Sequence, residues 1–272
     1  MVSRNKILLS SACVLASVGA IALRPFGRAV AQPAPACDTP ATPFCSAAFD
    51  PPSGWTGSVF HLAQNYPAAI PQDTKPWLAF DPKTQSEQYI NAILAYFYEG
   101  NIQPTVEASF DPSLNTKRGW YNAPWQDVGL NGREPLHGLT RERTSRPGEL
   151  GAQQIHSWNN YAVGFYNAPG GFAIGQMWAN HGAPNPAAAA SLSDGTVAAK
   201  LLFTTAPVSE VPYLQGSPEW SAYIFSDPTN PAPTPTSPKA VLKVRLLQID
   251  IAVKDSRLTS TTGWRRLVGE LH

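Results

Sequence analysis

Asp194-Gly195-Thr196-Val197-Ala198-Ala199-Lys200-Leu201-Leu202-Phe203-Thr204 is one of two apolar runs in the last third of the chain; the other is Val241 to Lys254, VLKVRLLQIDIAVK. Side chains along a strand alternate between its two faces. In the first run this puts Val197, Ala199, Leu201 and Phe203 on one face and Thr196, Ala198, Lys200, Leu202 and Thr204 on the other. In the second run Leu242, Val244 and Leu246 hold one phase, and Leu247, Ile249, Ile251 and Val253 hold the opposite one. A one-residue slip of phase inside a single strand predicts a β-bulge near Leu246-Leu247. Sheet propensity supplies no reason for a lysine at 200. On a solvated face its stem lies along the sheet and its head reaches water. On a face that lines a pocket, the amine is available as a nucleophile or ligand.

Working outward, Tyr161, Val163 and Phe165 alternate, Ala168-Pro169-Gly170-Gly171 reads as a turn, and Phe172, Ile174, Gln176 and Trp178 alternate again. That pattern predicts a β-hairpin. Residues 206–225 are broken by Pro212, Gly216 and Pro218, which predicts no more than two short helical turns, and 227–238 reads as an extended, exposed Pro-Thr-Ser linker. Upstream, Ile90, Ile93, Leu94 and Phe97 recur at helical spacing before the Gly100-Asn101 stop, so a helix is expected over Thr84 to Tyr98. Its tyrosines, Tyr89, Tyr96 and Tyr98, widen the apolar face and read as core.

The whole chain has 272 residues, a net charge of +1 and 43% hydrophobic residues, enough for a large core. Near-neutrality excludes the basic face that a nucleic-acid binder needs. Only 14% of residues are charged, against 27 Pro and 20 Gly, a composition of strands and loops rather than a helical bundle. Arg4, Lys6, the apolar run Ile7 to Leu23 and Ala29-Val30-Ala31 before Gln32 read as a cleaved export leader, with a retained anchor as the alternative. Past the leader, Cys37 and Cys45 are the remaining cysteines, and in an oxidising compartment they are expected to form a disulfide. The expected location is therefore periplasmic or secreted, with no membrane attachment once the leader is removed.

The densest polar segment is Asn131-Gly132-Arg133-Glu134-Pro135-Leu136-His137-Gly138-Leu139-Thr140-Arg141-Glu142-Arg143. Its plain reading is a surface loop laced with ion pairs. Two functional readings stand beside it. As a loop over a pocket mouth, Arg133, Arg141 or Arg143 holds an anionic group. As a hydrolytic site, Glu134 and His137 act together.

Asp194-Gly195-Thr196-Val197 with Lys200, then Val253-Lys254-Asp255 and Gly263-Trp264, in that order after the 161–178 segment, resemble cytochrome P-460 and the related cytochromes c′-beta. The resemblance covers about residues 160 to 264. It implies an antiparallel β module holding one haem c, with Lys200 at the position of the lysine that bonds the haem edge in the hydroxylamine-oxidising members. It also implies binding or oxidation of small nitrogen compounds such as hydroxylamine or nitric oxide, and an electron-transfer protein as partner. Arg133 and Arg141 are the candidate contacts to the cofactor. One departure stands out: family members carry C-x-x-C-H near the C-terminus, and this chain has none. The final residues, Arg265 to His272, read as a shifted frame or truncation that removes the haem tether.

The sequence thus predicts a mainly β (α+β) protein: an antiparallel sheet module with an N-terminal helical extension and incomplete C-terminal strands. The expected division is a leader over 1–31, an extension with one helix and the disulfide over 32–118, and the β domain over 119–272. The leading expectation is an exported P-460-type haem protein, an oxidoreductase impaired by the missing attachment segment. The alternative is a haem-free exported β module that binds a small ligand or serves structurally.

Overall fold

A computed structural model describes residues 51–57, 63–72, 74–101, 114–123, 133–180, 183–189, 192–234 and 236–258, and the backbone of 264–269. The leader and the Cys37–Cys45 pair lie outside the described residues. The protein is mainly β, an antiparallel curled sheet with two α-helices among the described residues. The strands are β1 (Trp120–Tyr121), β2 (Thr140–Arg141), β3 (Asn160–Asn167), β4 (Val197–Thr204), β5 (Glu219–Phe225), β6 (Lys239–Lys254) and β7 (Trp264–Gly269). They run in the order β1-β3-β4-β6-β5, with β2 also on β3 and β7 also on β6. No helix among the described residues is long and apolar enough to cross a membrane.

The two opening runs become β4 and β6, paired antiparallel with Lys200 opposite Asp250 and Leu201 opposite Ile249. The register shifts between Leu202, opposite Gln248, and Phe203, opposite Leu246, so Leu247 is the extra residue of the expected bulge. The bulge lets one strand bury Val244 and Leu246 in its first half and Ile249, Ile251 and Val253 in its second on a common core.

Helix α1 (Ser86–Tyr98) seals that core face. Its buried residues are Tyr89, Ile93, Tyr96 and Phe97, the i, i+4, i+7, i+8 stripe of an amphipathic helix. Ile90, Leu94 and Tyr98 are only partly buried against the cluster. Upstream, the Asp81 carboxylate accepts from the Lys83 and Thr84 amides; downstream, Gly100 at φ 76 turns the chain away. Trp77 and Trp120 pack edge-on against Tyr96, with ring centres 4.9 and 6.0 Å away. The end of β6 is clipped to this layer by Asp255, which is 1% exposed. It accepts from the Tyr89 hydroxyl and from Arg257, whose guanidinium also donates to the Leu78 and Phe80 carbonyls.

Two expectations are corrected. The second arm of the 161–178 hairpin is helix α2 (Ala168–Met177). Asn167 ends β3 and caps the helix: its side-chain oxygen accepts from the Gly170 and Val197 amides, and its nitrogen donates to the Gly195 carbonyl and the Tyr96 hydroxyl. Glycines that looked like a turn let the helix settle on tyrosines. A methyl on Gly171 would lie 2.5 Å from the Tyr121 ring, and one on Gly175 would lie 2.7 Å from Tyr66 Cβ. The second correction concerns 206–225, which holds one 3-10 turn (Pro212–Leu214) and then strand β5. Its residues Trp220, Ala222 and Ile224 are buried, because an edge beside the first half of β6 was open to a partner.

Two outcomes follow from this packing. Gly175→Ala should lower stability despite the gain of about 1 kcal/mol that alanine normally brings to a helix interior, whereas Gly151→Ala, with nothing within 4 Å, should be near neutral. Urea unfolding of both variants checks the pair. For Asp255, burial pushes the carboxyl up, but the Arg257 and Tyr89 bonds outweigh it and hold it below the usual carboxylate value. Its stabilisation is therefore present above the unfolded-state pKa and is lost as pH falls through the lowered folded one. Asp255→Asn should cost about 1–3 kcal/mol near neutrality, and that deficit should shrink in acid; a deficit independent of pH would contradict the assignment.

Candidate functional site

Alternation along the paired strands gives the sheet two unlike faces. The face opposite α1 presents Ala162, Gly164 and Tyr166 from β3, Ala198, Lys200 and Leu202 from β4, and Gln248, Asp250 and Ala252 from β6. Most of these are half-buried. Helix α2 covers the Tyr166 end, where Tyr121 and Tyr66 also pack against its glycines. Burial pushes the hydroxyls of Tyr66, Tyr121 and Tyr166 up, so all three stay protonated at neutral pH.

Lys200 stands in the part of this face that no described helix covers. Its side chain is 39% exposed, with Nζ 3.8 Å from Asp250 Oδ2 and 4.0 Å from Glu142 Oε1. These are ion-pair distances, too long for hydrogen bonds. Asp250 is directly opposite on β6, and the Gln248 amide donates to its other oxygen, Oδ1. The position opposite on β3 is Gly164, where a methyl would meet only the Ala199 carbonyl oxygen, at 3.9 Å. A cation with loosely held donors thus lies between two carboxylates and beside the side-chain-free position of Gly164, whose carbonyl accepts from Asn122 Nδ2.

The polar segment is buried over 133–139, whereas Glu142 and Arg143 at its end keep the exposed ion pairs of the plain reading. Arg133, Glu134, Leu136, His137 and Leu139 are all 5% exposed or less. The Glu134 carboxylate accepts from the backbone amides of Leu136, His137 and Leu139 in its own loop and from the Tyr223 amide on β5. Burial pushes this carboxyl up, while the four N–H donors pull the other way. Two carboxylate oxygens offer about four lone-pair sites, and all four are engaged. No site is left for activating a substrate water, and the His137 ring lies stacked on Trp220 at 4.6 Å. The hydrolytic pairing of Glu134 with His137 therefore has no geometric basis. Glu134 instead bridges the segment before β2 to β5, drawing the two sides of the curled sheet together.

The candidate arginines are held by the protein itself. Arg133 donates to the Ala123 and Gly138 carbonyls. Arg141 donates to Asn159 Oδ1, Thr144 Oγ1 and the Pro231 carbonyl. Its backbone is opposite Tyr161, on the face away from Lys200. Arg143 pairs with Glu149 at the surface. The structure therefore does not gather Lys200, Arg133 and Arg141 around one point. The residues it does bring to Lys200 are Asp250 and Glu142, which the sequence reading passed over. Asp250 is the one acidic residue inside the β6 run, and it shares the phase that faces Lys200.

The fit of a haem c was tested on the same residues. Among the described residues no cysteine stands on the Lys200 face; His137 is on the opposite face and His156 pairs with Glu210 in the loop before β3. With no C-x-x-C-H in the chain, these residues supply neither thioether links nor an axial histidine for that attachment. Nor does any group of three His, Cys, Asp or Glu among them have the geometry to hold a metal ion. No known family, curated protein or solved structure matches the chain.

Removing Glu134 and removing Lys200 should have opposite signatures. Glu134→Ala leaves buried amides unsatisfied and should cost roughly 2–4 kcal/mol. Lys200→Ala should cost no more than about 1 kcal/mol, as expected for a half-exposed ion pair. Chemical denaturation of the two variants checks the contrast.

Proposed function

We propose that the protein is an exported β module that binds a small ligand on the Lys200 face of its sheet. The observation that carries this reading is the unlike treatment of the two faces. One is closed by α1 and filled with large side chains, while the other keeps a loosely paired ammonium beside Gly164, whose side-chain position is open among the described residues. The Lys200 ammonium offers three donors, so the ligand is a small molecule with a hydrogen-bond acceptor, held against the sheet and flanked by the tyrosine-packed α2. Export follows from the leader-like first 31 residues.

A P-460-type haem protein is the second reading, favoured by the match of Lys200 and its flanking Asp194-Gly195-Thr196-Val197 to the resemblance described above. When bound, the haem would supply the redox chemistry toward small nitrogen compounds, and Lys200 is the residue of this chain that would face its edge. The missing attachment motif counts against it.

One preparation separates the two. Protein matured in a periplasm that contains the haem-ligation machinery should be colourless and negative on haem staining. It should also show thermal stabilisation by at least one member of a series of small carboxylates and carbonyl compounds, lost in Lys200→Ala. A Soret band would move the conclusion to the haem reading. A Lys200→Ala variant whose responses to the whole series match the parent's would remove Lys200 from the binding site.

A further inference from the structure

We propose that Asp250 is the positioning residue of the Lys200 site, with Gln248 holding Asp250 in turn. The proposal rests on the reading that the Lys200 face binds ligand. Two carboxylates are within ion-pair distance of the lysine, and their surroundings differ. Asp250 has a side chain 12% exposed and Glu142 one 42% exposed. Solvent screens the second much more than the first, so the attraction that places the ammonium comes chiefly from Asp250.

Backbone geometry points the same way. Asp250 and Lys200 are direct cross-strand partners on rigid central strands, so their Cβ atoms are fixed within reach of each other. Glu142 lies just past the two-residue strand β2, tied to β3 by a backbone bond from its amide to the Asn160 carbonyl, and is not a cross-strand partner of Lys200. The Gln248 side chain, two residues earlier on β6 and on the same face, donates to Asp250 Oδ1 and leaves Oδ2 toward Lys200. On the other flank, Gly164 contributes no side chain to confine the lysine stem. The chain Gln248 to Asp250 to Lys200 therefore sets where the ammonium stands, and a ligand acceptor meets it from the Gly164 side.

The test reads the lysine itself and needs no ligand, so its outcome is separate from that of the ligand series. Full-length protein is treated with a limiting amount of an acetylating N-hydroxysuccinimide ester, and acetylation at each lysine is followed by peptide mass mapping. Asp250→Asn should speed acetylation of Lys200 about fivefold relative to the other lysines, the factor corresponding to an ion pair of about 1 kcal/mol. Asp250→Glu should restore most of the parent rate, and Glu142→Gln should change it less than twofold. Thermal melts within a few degrees of the parent show that the fold is retained, a readout that a purely structural role would move. An unchanged Lys200 rate in Asp250→Asn, or a larger effect from Glu142→Gln, would overturn the assignment. If Asp250→Asn fails to fold, Gln248→Ala provides the same comparison one step removed, and no change of rate there would also overturn it.

Discussion

The register between β4 and β6 is the constraint on which the rest of this structure depends. Because strand side chains alternate with a period of two, one register sends Val197, Ala199, Leu201 and Phe203 to the same side as Ile249, Ile251 and Val253, and sends Lys200 and Asp250 together to the other. A slip by one residue would bury the charges and expose the core. The bulge at Leu247 extends the same logic along β6, allowing its first half to serve β5 with the opposite phase. Both the dry core under α1 and the half-open face with the lysine are consequences of this pairing.

Closure of the sheet rests on buried polar side chains rather than on further strands. Glu134 joins the segment before β2 to an amide of β5, and Arg141 and Asn159 reach carbonyls in 227–231. Asn167 does comparable work at the opposite end, with one amide group joining the end of β3, the start of β4, the first turn of α2 and Tyr96 of α1. Such groups are costly to bury unless every donor and acceptor is met. Their positions are therefore tightly specified, and they hold the two faces of the sheet in place.

Where reading the sequence succeeded, the signal was local and periodic. Helix α1, strands β3, β4 and β6 and the phase slip all follow from spacing within a short window. Where it failed, the deciding partner was distant. The alternation of Phe172, Ile174, Gln176 and Trp178 looked like a strand because a two-residue period and a short helical stripe overlap over so few residues. Contacts with Tyr66, Tyr121 and Tyr166 decided for the helix, which accepts glycine wherever a ring must approach. Strand β5 was hidden by the prolines around it and exists because β6 offered an edge. The Arg133 to Arg143 segment looked solvated because charged residues usually are; that held for Glu142 and Arg143, yet Arg133 and Glu134 are buried and meet backbone groups.

The amino-acid sequence by itself determined the class of the protein, its main apolar stripes and the singular lysine at 200, since each is written in composition or in a period of two or about 3.6 residues. Only the tertiary structure decided what that lysine faces. Asp250, Glu142 and Gly164 come from three other segments, and nothing in the spacing along one strand specifies which residues its neighbours place beside it. The same holds for Glu134, whose four amide donors include one from a strand 89 residues away. Long-range pairing, set by the burial of the whole core, makes the site.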